Sequence, residues 1–500
     1  MMQNAVNKSL LLLLGLAAQG RIGIAQSADS VTPTGNMTTR RISHTATLLE
    51  DGAVLIAGGN LIESSRPPVF KTQSSAELYD PDTGTFRPTG SMMTPRSRHT
   101  ATLLMDGRVL VAGGDVENPT DERAPLALAT AELYDPIARS FASTGSMTTA
   151  RATHTATLLR DGRVLIAGGA ADWTSAEVYD PGTGLFAATG DMNRFFAQNA
   201  TLLSTGNVLV AKSDPYGPSP YVTTAELYDP SAGKFTFAGY MAGMHNGGLA
   251  TLLINGRVLF TGGDVGDGDG SSWAAELYDP SSAAFYSAGA MTIGREAHSA
   301  TLLGDGSVFL AGAHDRPQNA VTTELYDPAT GTFRPAASLD SPRELHTATL
   351  LKDGTVLIAG GLDLRYWPDD SEDATLSSAE IYHPSTLVPP PELLPVSGDG
   401  EQGAILHAGT PRVVSSSDPA LAGEPLEIYC TGLADGGAVP PMVGIGGRAA
   451  DVLYFGKSGN GAVDQINVRV PRGVAPGPAV SVRLNYLGRP SNQKVTIGVE

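Results

Sequence analysis

At 500 residues the chain exceeds one ordinary domain, and its 59 glycines with 6% aromatics suit a turn-rich all-β protein. Its 33 basic and 51 acidic side chains leave a formal net charge of −18. An acidic chain without a basic patch is excluded as a nucleic-acid or anionic-membrane binder, because Lys and Arg must displace the counterions there.

The first element is an export signal. Lys8 precedes the apolar run Leu10 to Ala18, which is too short to span a bilayer and is followed by small residues around Gly23 and Ala25. Residues 1–25 are therefore expected to be removed, and no transmembrane anchor is expected elsewhere. The expected location is periplasmic, cell-surface or extracellular.

A repeat follows. The threonine of TATLL recurs at Thr47, Thr102, Thr157, Thr201, Thr251, Thr301 and Thr349, seven units with a period near 50. Each unit runs TATLL, an Asp-Gly or Asn-Gly turn such as Asp51-Gly52, VLIAGG, a variable loop, AELYDP, and a segment like TGTFRPTG. Four short strand-like runs per unit predict the blades of a β-propeller, since one blade cannot bury both of its faces alone. The Asp-Gly pairs predict two-residue type I′ hairpin turns, which need positive φ. TATLL and VLIAGG read as buried inner strands and AELYDP as half-buried. TPTGNM at 32–37 matches RPTGSM at 87–92, so the N-terminal segment is expected to close the ring as outermost strand of the last blade; Thr386 to Leu394, with three consecutive prolines, is the poorer candidate.

The glycine pairs, such as Gly58-Gly59 and Gly113-Gly114, followed by Tyr79 and Tyr134, resemble the Kelch repeat family over residues 31–395. Phenylalanine, as at Phe86 and Phe141, stands where that family carries tryptophan. Lys212-Ser213 and Gly312-Ala313 depart from the glycine pair, so units four and six are expected to be locally distorted. The resemblance implies a seven-bladed propeller, with arginines near the channel mouth as candidates for partner contact.

Loops joining strand two to three and strand four to the next strand one emerge on one face, where the long loops make a binding site expected. An arginine and a histidine precede TATLL in five units: Arg41/His44, Arg96/His99, Arg151/His154, Arg295/His298 and Arg343/His346. One reading is a guanidinium ring that grips carboxylates. The other is structural: a glutamate recurs in every third strand, from Glu77 to Glu380, and the arginine or histidine pairs with it. Units four and five break the pattern, with Phe195 and His245 in the arginine position. The candidate ligand-binding residues are accordingly Arg41, Arg151, Phe195, Tyr216, Tyr221, His245, Trp273 and Arg295. Asp264, Asp267 and Asp269 offer only part of a calcium-loop pattern without its closing glutamate, and no cofactor is expected.

The Pro- and Gly-rich stretch near 388–405 marks a boundary. Short alternating runs over residues 405–500 predict a β-sandwich, similar to the immunoglobulin-like modules appended to exported bacterial proteins, which implies a bacterial source. Cys430 is the only cysteine, so no internal disulfide is expected. Galactose oxidase and its relatives also join a seven-bladed Kelch propeller to a β-sandwich, but their copper-radical site needs a cysteine in the propeller, and none precedes Cys430. The expected function is an exported, non-enzymatic binder of a protein or glycan; the alternative is a carbohydrate-active enzyme on an anionic sugar.

Overall fold

The computed structural model describes residues 28–500 except 66–67, 119–124, 170–172, 194–195, 214–222, 244, 266–269, 314–320, 364, 366–373, 397–400, 435–436, 460, 462 and 492–494. The segment read as an export signal, residues 1–25, lies outside them. No helix among the described residues is long and apolar enough to cross a membrane.

Seven antiparallel four-stranded sheets form the propeller, each in strand order one to four from the centre outward. In blade one these are Thr45–Leu48, Val54–Ala57, Ala76–Asp80 and Thr85–Pro88. The last blade takes its first three strands from Thr347–Leu350, Val356–Ala359 and Ala379–His383, and its fourth is Ser30–Pro33, in register Ser30 opposite His383 and Pro33 opposite Glu380. The ring is thus closed by the N-terminus, as the TPTG match predicts. The competing segment goes elsewhere: Glu392–Leu393 pairs with Thr431 and Cys430 in the C-terminal module.

Two local expectations are corrected. The first hairpin is a type I turn followed by a glycine bulge, because Gly52 donates to the Leu49 carbonyl, Leu49 donates to that of Ala53, and of the Asp51-Gly52 pair only Gly52 has positive φ (94°). The aspartate has a separate role: its carboxylate accepts from the Ala53 amide at 3.1 Å, and Asp106, Asp161, Asn255, Asp305 and Asp353 repeat the contact. Burial also differs. The second and third strands are nearly wholly buried between blades, whereas Thr100–Leu103 and Thr347–Leu350 are half-buried, because the first strands border the channel.

Between strands three and four a tyrosine faces a phenylalanine across the ladder, with ring centroids 4.8 Å apart for Tyr79 and Phe86 and 5.0 Å for Tyr278 and Phe285. Such pairs stabilise a sheet by up to about 1 kcal/mol each. The last blade has Val31 opposite Tyr382, and there Tyr382 stacks instead on Phe309 of blade six at 3.9 Å.

The C-terminal strands form one sheet that winds from Glu392–Leu393 through Pro425–Thr431, Asp464–Arg469, Arg448–Lys457, Met442–Ile445 and Gly477–Tyr486, a nearly closed barrel around Leu426, Ile428, Ile466, Val468 and Ile497. It packs on the propeller face that carries the tight turns: Arg483 pairs with Glu50 at 3.0 Å, and Ala438 donates to the Ile254 carbonyl at 3.0 Å. The long-loop face is left open.

Cys430 is wholly buried in this barrel, and burial pushes its thiol well above the usual range. Native protein should therefore leave a chromogenic disulfide reagent unreacted and release one equivalent of thiol only on unfolding. Prompt labelling under native conditions would contradict this packing.

Candidate functional site

The arginines expected at the channel mouth are not at a surface. Arg41, Arg151 and Arg295, with Arg96 and Arg343, have no exposed side-chain area. In blade one Arg41 donates from Nη1 to the carbonyls of Gly58 (2.7 Å) and Ser75 (3.1 Å), and from Nη2 to Glu77 Oε1 (2.7 Å). Glu77 in turn accepts from the Thr38 and Thr39 amides. Each such pair pins the loop that enters a blade to that blade's third strand. As ligand-binding candidates Arg41, Arg151 and Arg295 are thus corrected: their guanidinium donors are directed to backbone carbonyls and to a carboxylate of their own blade.

The histidines are latches between blades. His99 Nε2 meets Thr45 Oγ1 at 3.0 Å, His154 meets Thr100, His346 meets Ser299, and His44 meets Thr347 across the closure. In blade five the threonine position holds Leu249, and His298 bonds to Thr261 instead. Burial, with the neighbouring guanidinium, pulls His99, His154, His298 and His346 down to about 3, so they stay neutral.

Blades four and five keep the pin by other means. Lys212, from the second strand of blade four, reaches Glu226 at 2.7 Å, with both side chains 1% exposed. The amine enters from the second strand to neutralise the same glutamate, so Lys212 is a compensating change, and blade four is locally distorted as expected, with the register shifted between Ala197 and Asn199 and between Ala225 and Glu226. In blade five His245 takes the arginine position: its Nδ1 lies 2.9 Å from the Gly262 carbonyl, and its Nε2 lies 3.9 Å from Glu276 Oε2. His245 is buried, so it too is corrected as a surface ligand contact. In blade six Gly312 keeps its positive φ of 78°, and Ala313 is buried without disrupting the strand.

The channel mouth carries a further ring. Ser43, Arg98, Thr153, Ala297 and Leu345, each just before a latch histidine, are left-handed, a conformation that costs a non-glycine residue roughly 1 kcal/mol. Their backbones are chained: Leu345 donates to Ala297, Ser43 to Leu345, Arg98 to Ser43 and Thr153 to Arg98. Among the described residues this belt runs from blade six through seven, one and two to blade three, and is open at blades four and five.

In the opening stands a polar cluster. Gln198, bulged out of its strand between Ala197 and Asn199, occupies the latch position and donates from Nε2 to Ser213 Oγ and Asn246 Oδ1. Ser213 Oγ also donates to Asn246 at 2.8 Å, and Asn199 to the Gly248 carbonyl at 2.7 Å. Gln198 Oε1 is buried without a hydrogen-bond partner. Blade five accommodates this with Gly248, where a Cβ would meet the Gly262 carbonyl oxygen at 2.6 Å.

Exposed aromatics lie on loops of the same face. Trp273 is 56% exposed and Trp173 42%, the latter against Phe196 with centroids 4.2 Å apart. Trp273 is therefore where the sequence places it. Trp173, Ser213 and Asn246 were not among the expected site residues, although each adjoins the break in the repeat, which is the signal that points to them. Phe195, Tyr216, Tyr221, Asp267 and Asp269 lie outside the described residues. Asp264 is half-buried, with its backbone bridged to Asn246 and Ser271. Among the described residues no group of three His, Cys, Asp or Glu side chains is placed to hold a metal ion.

No protein-family model matches the chain, and no curated protein matches it. Among solved structures it is similar to a fungal alcohol oxidase, described as showing catalytic diversity among the AA5 family and solved in complex with copper. The TM-score is 0.60 at 18% identity, over 95% of this chain and 100% of the oxidase. At this identity what the two share is the fold, a propeller with its C-terminal barrel. In that oxidase the whole two-part architecture serves an enzyme, which overturns the expectation of a non-enzymatic binder. The described residues do not fit a copper-radical centre. The latch histidines are each committed to a neighbouring blade, and the one cysteine lies in the barrel core.

Proposed function

We propose that the protein is a carbohydrate-active enzyme whose substrate, a sugar or other hydroxyl-rich alcohol, binds at the opening between blades four and five. The observation that carries this reading is the likeness, over nearly the whole chain, to an oxidase that acts on alcohols. Trp273 and Trp173 offer faces for sugar rings, and Gln198, Ser213 and Asn246 offer the paired donors and acceptors that hydroxyl groups require. The preference for an anionic sugar rested on the arginine ring, whose members are buried. Arg98, 42% exposed and paired with Asp115, is a guanidinium on the same face that could meet a carboxylate. The Kelch-like repeat and the export leader read at residues 1–25 are compatible with an exported enzyme.

The test is turnover of neutral sugars, uronic acids and primary alcohols by the full chain, with and without added copper, followed by product analysis. Trp273→Ala and Gln198→Ala should each lower kcat/KM about tenfold or more, a loss of about 1.4 kcal/mol of transition-state stabilisation, with little change in melting temperature. Absence of turnover across the whole panel, or variants as active as the parent, would remove this reading.

A further inference from the structure

A second polar feature lies on the opposite side of the propeller, where the C-terminal barrel docks. A cavity of about 100 Å³ sits between the turns of blades five and six, the linker at Val388 and Pro391, and the barrel. Its walls are largely apolar, among them Ile254, Leu303 and Leu433, with two polar side chains, those of Arg489 and Tyr486.

These two stand directly opposite each other across a hairpin whose turn residues Leu487 and Gly488 both have positive φ (54° and 80°). Cross-strand partners project to the same side of a ladder, so both side chains are presented to one cavity. Arg489 is 7% exposed and Tyr486 4%. Among the described residues the guanidinium makes one hydrogen bond, from Nη2 to the Val388 carbonyl, and its Nε–H has no acceptor. The Tyr486 hydroxyl oxygen faces the Ala434 amide, and among the described residues its proton likewise has no acceptor. Arg489 forms no ion pair among the described residues. Asp353 acts on it only at a distance, its Oδ1 being occupied by the backbone amide and hydroxyl of Thr355.

A buried cation without a partner is among the costliest groups a protein can carry, and buried donors are almost always satisfied. Two donors, a positive charge and no acceptor define what is missing. We propose that this cavity is an anion site, in which Arg489 and Tyr486 hold a monovalent anion of halide or formate size that ties the barrel to blades five and six. The small volume, room for a few waters or one small ion, suits an anion of that size. Water could accept both hydrogen bonds but would leave the charge uncompensated. Burial pulls the Arg489 guanidinium down to about 10, which still leaves it charged at neutral pH.

The test is thermal unfolding of the full chain at constant ionic strength, with chloride or formate replacing gluconate, an anion too large for the cavity. The expected result is a saturable rise in Tm of about 2 °C, absent in Arg489→Gln. Tyr486→Phe should fold and need at least threefold more anion for half the rise. Separate titrations decide between halide and carboxylate. A flat response to both ions, or an equal rise in Arg489→Gln, overturns the proposal. Should Arg489→Gln not fold, an unchanged midpoint in Tyr486→Phe overturns it.

Discussion

Replacing Arg96 with methionine should destabilise the protein by about 3–5 kcal/mol, read from the shift of its denaturant unfolding curve, because it leaves Glu132 ionised and buried without its cation. Arg96 Nη2 lies 2.8 Å from Glu132 Oε1, Nη1 donates to the Gly113 and Thr130 carbonyls, and the side chains are 0% and 2% exposed. Glu132 is also the acceptor for the Met93 and Thr94 amides, so the variant loosens the whole entry to blade two. Glu132→Gln should cost a similar amount by stranding the guanidinium. The double variant, which removes both charges, should lose much less than the sum, since the pair and not either charge is what the blade tolerates. Additive losses would show that the two side chains act independently. A loss under about 1 kcal/mol for Arg96→Met would place the pair with exposed ion pairs, which contribute little.

Deletion of Ser30 to Gly35 should have an effect of the same order, about 4 kcal/mol, since it removes a full strand ladder at once. Ser30–Pro33 covers Ala379–His383, and beyond it Thr34 Oγ1 meets the Tyr79 hydroxyl at 3.0 Å while Gly35 donates to the Gly84 carbonyl at 2.9 Å. The first and last blades are joined through these six residues. Without them the strand carrying Glu380 and Tyr382 becomes a bare sheet edge, a template for pairing with other chains. Light scattering during the unfolding experiment should therefore rise for the truncated chain and stay flat for the parent. An unchanged unfolding midpoint would mean that ring closure rests on the inner-strand contacts and the His44 latch alone.

How much of this was legible beforehand depended on the range of the interaction. The seven blades, the strand boundaries and the closing segment follow from signals within one repeat: a four-residue apolar run, an Asp-Gly turn, a tyrosine facing a phenylalanine. Local geometry imposes these wherever the residues occur. The break at units four and five was visible too, as departures from a pattern. Its meaning was not. Lys212 stands 14 residues before Glu226 and lies in the second strand rather than in the entry loop that carries the arginines, so only the folded blade shows that its amine fills the guanidinium's place. The same holds for the arginine ring, whose spacing suits a ligand grip and a buried pin equally well.

Only burial separates the two, and burial is a property of packed neighbours. The left-handed belt around the channel mouth joins residues 48 to 302 positions apart through backbone groups that every residue type possesses, so composition carries no trace of it. The seat of the C-terminal barrel depends on complementary surfaces contributed by turns distant in sequence, among them those at Glu50, Met105, Ile254 and Lys352. The repeat thus determined the scaffold, because periodicity and turn chemistry act over a few residues. Tertiary structure decided which charged side chains are internal pins, which face carries the open polar cluster and which is covered, because solvent exposure and charge pairing are settled only when distant segments meet.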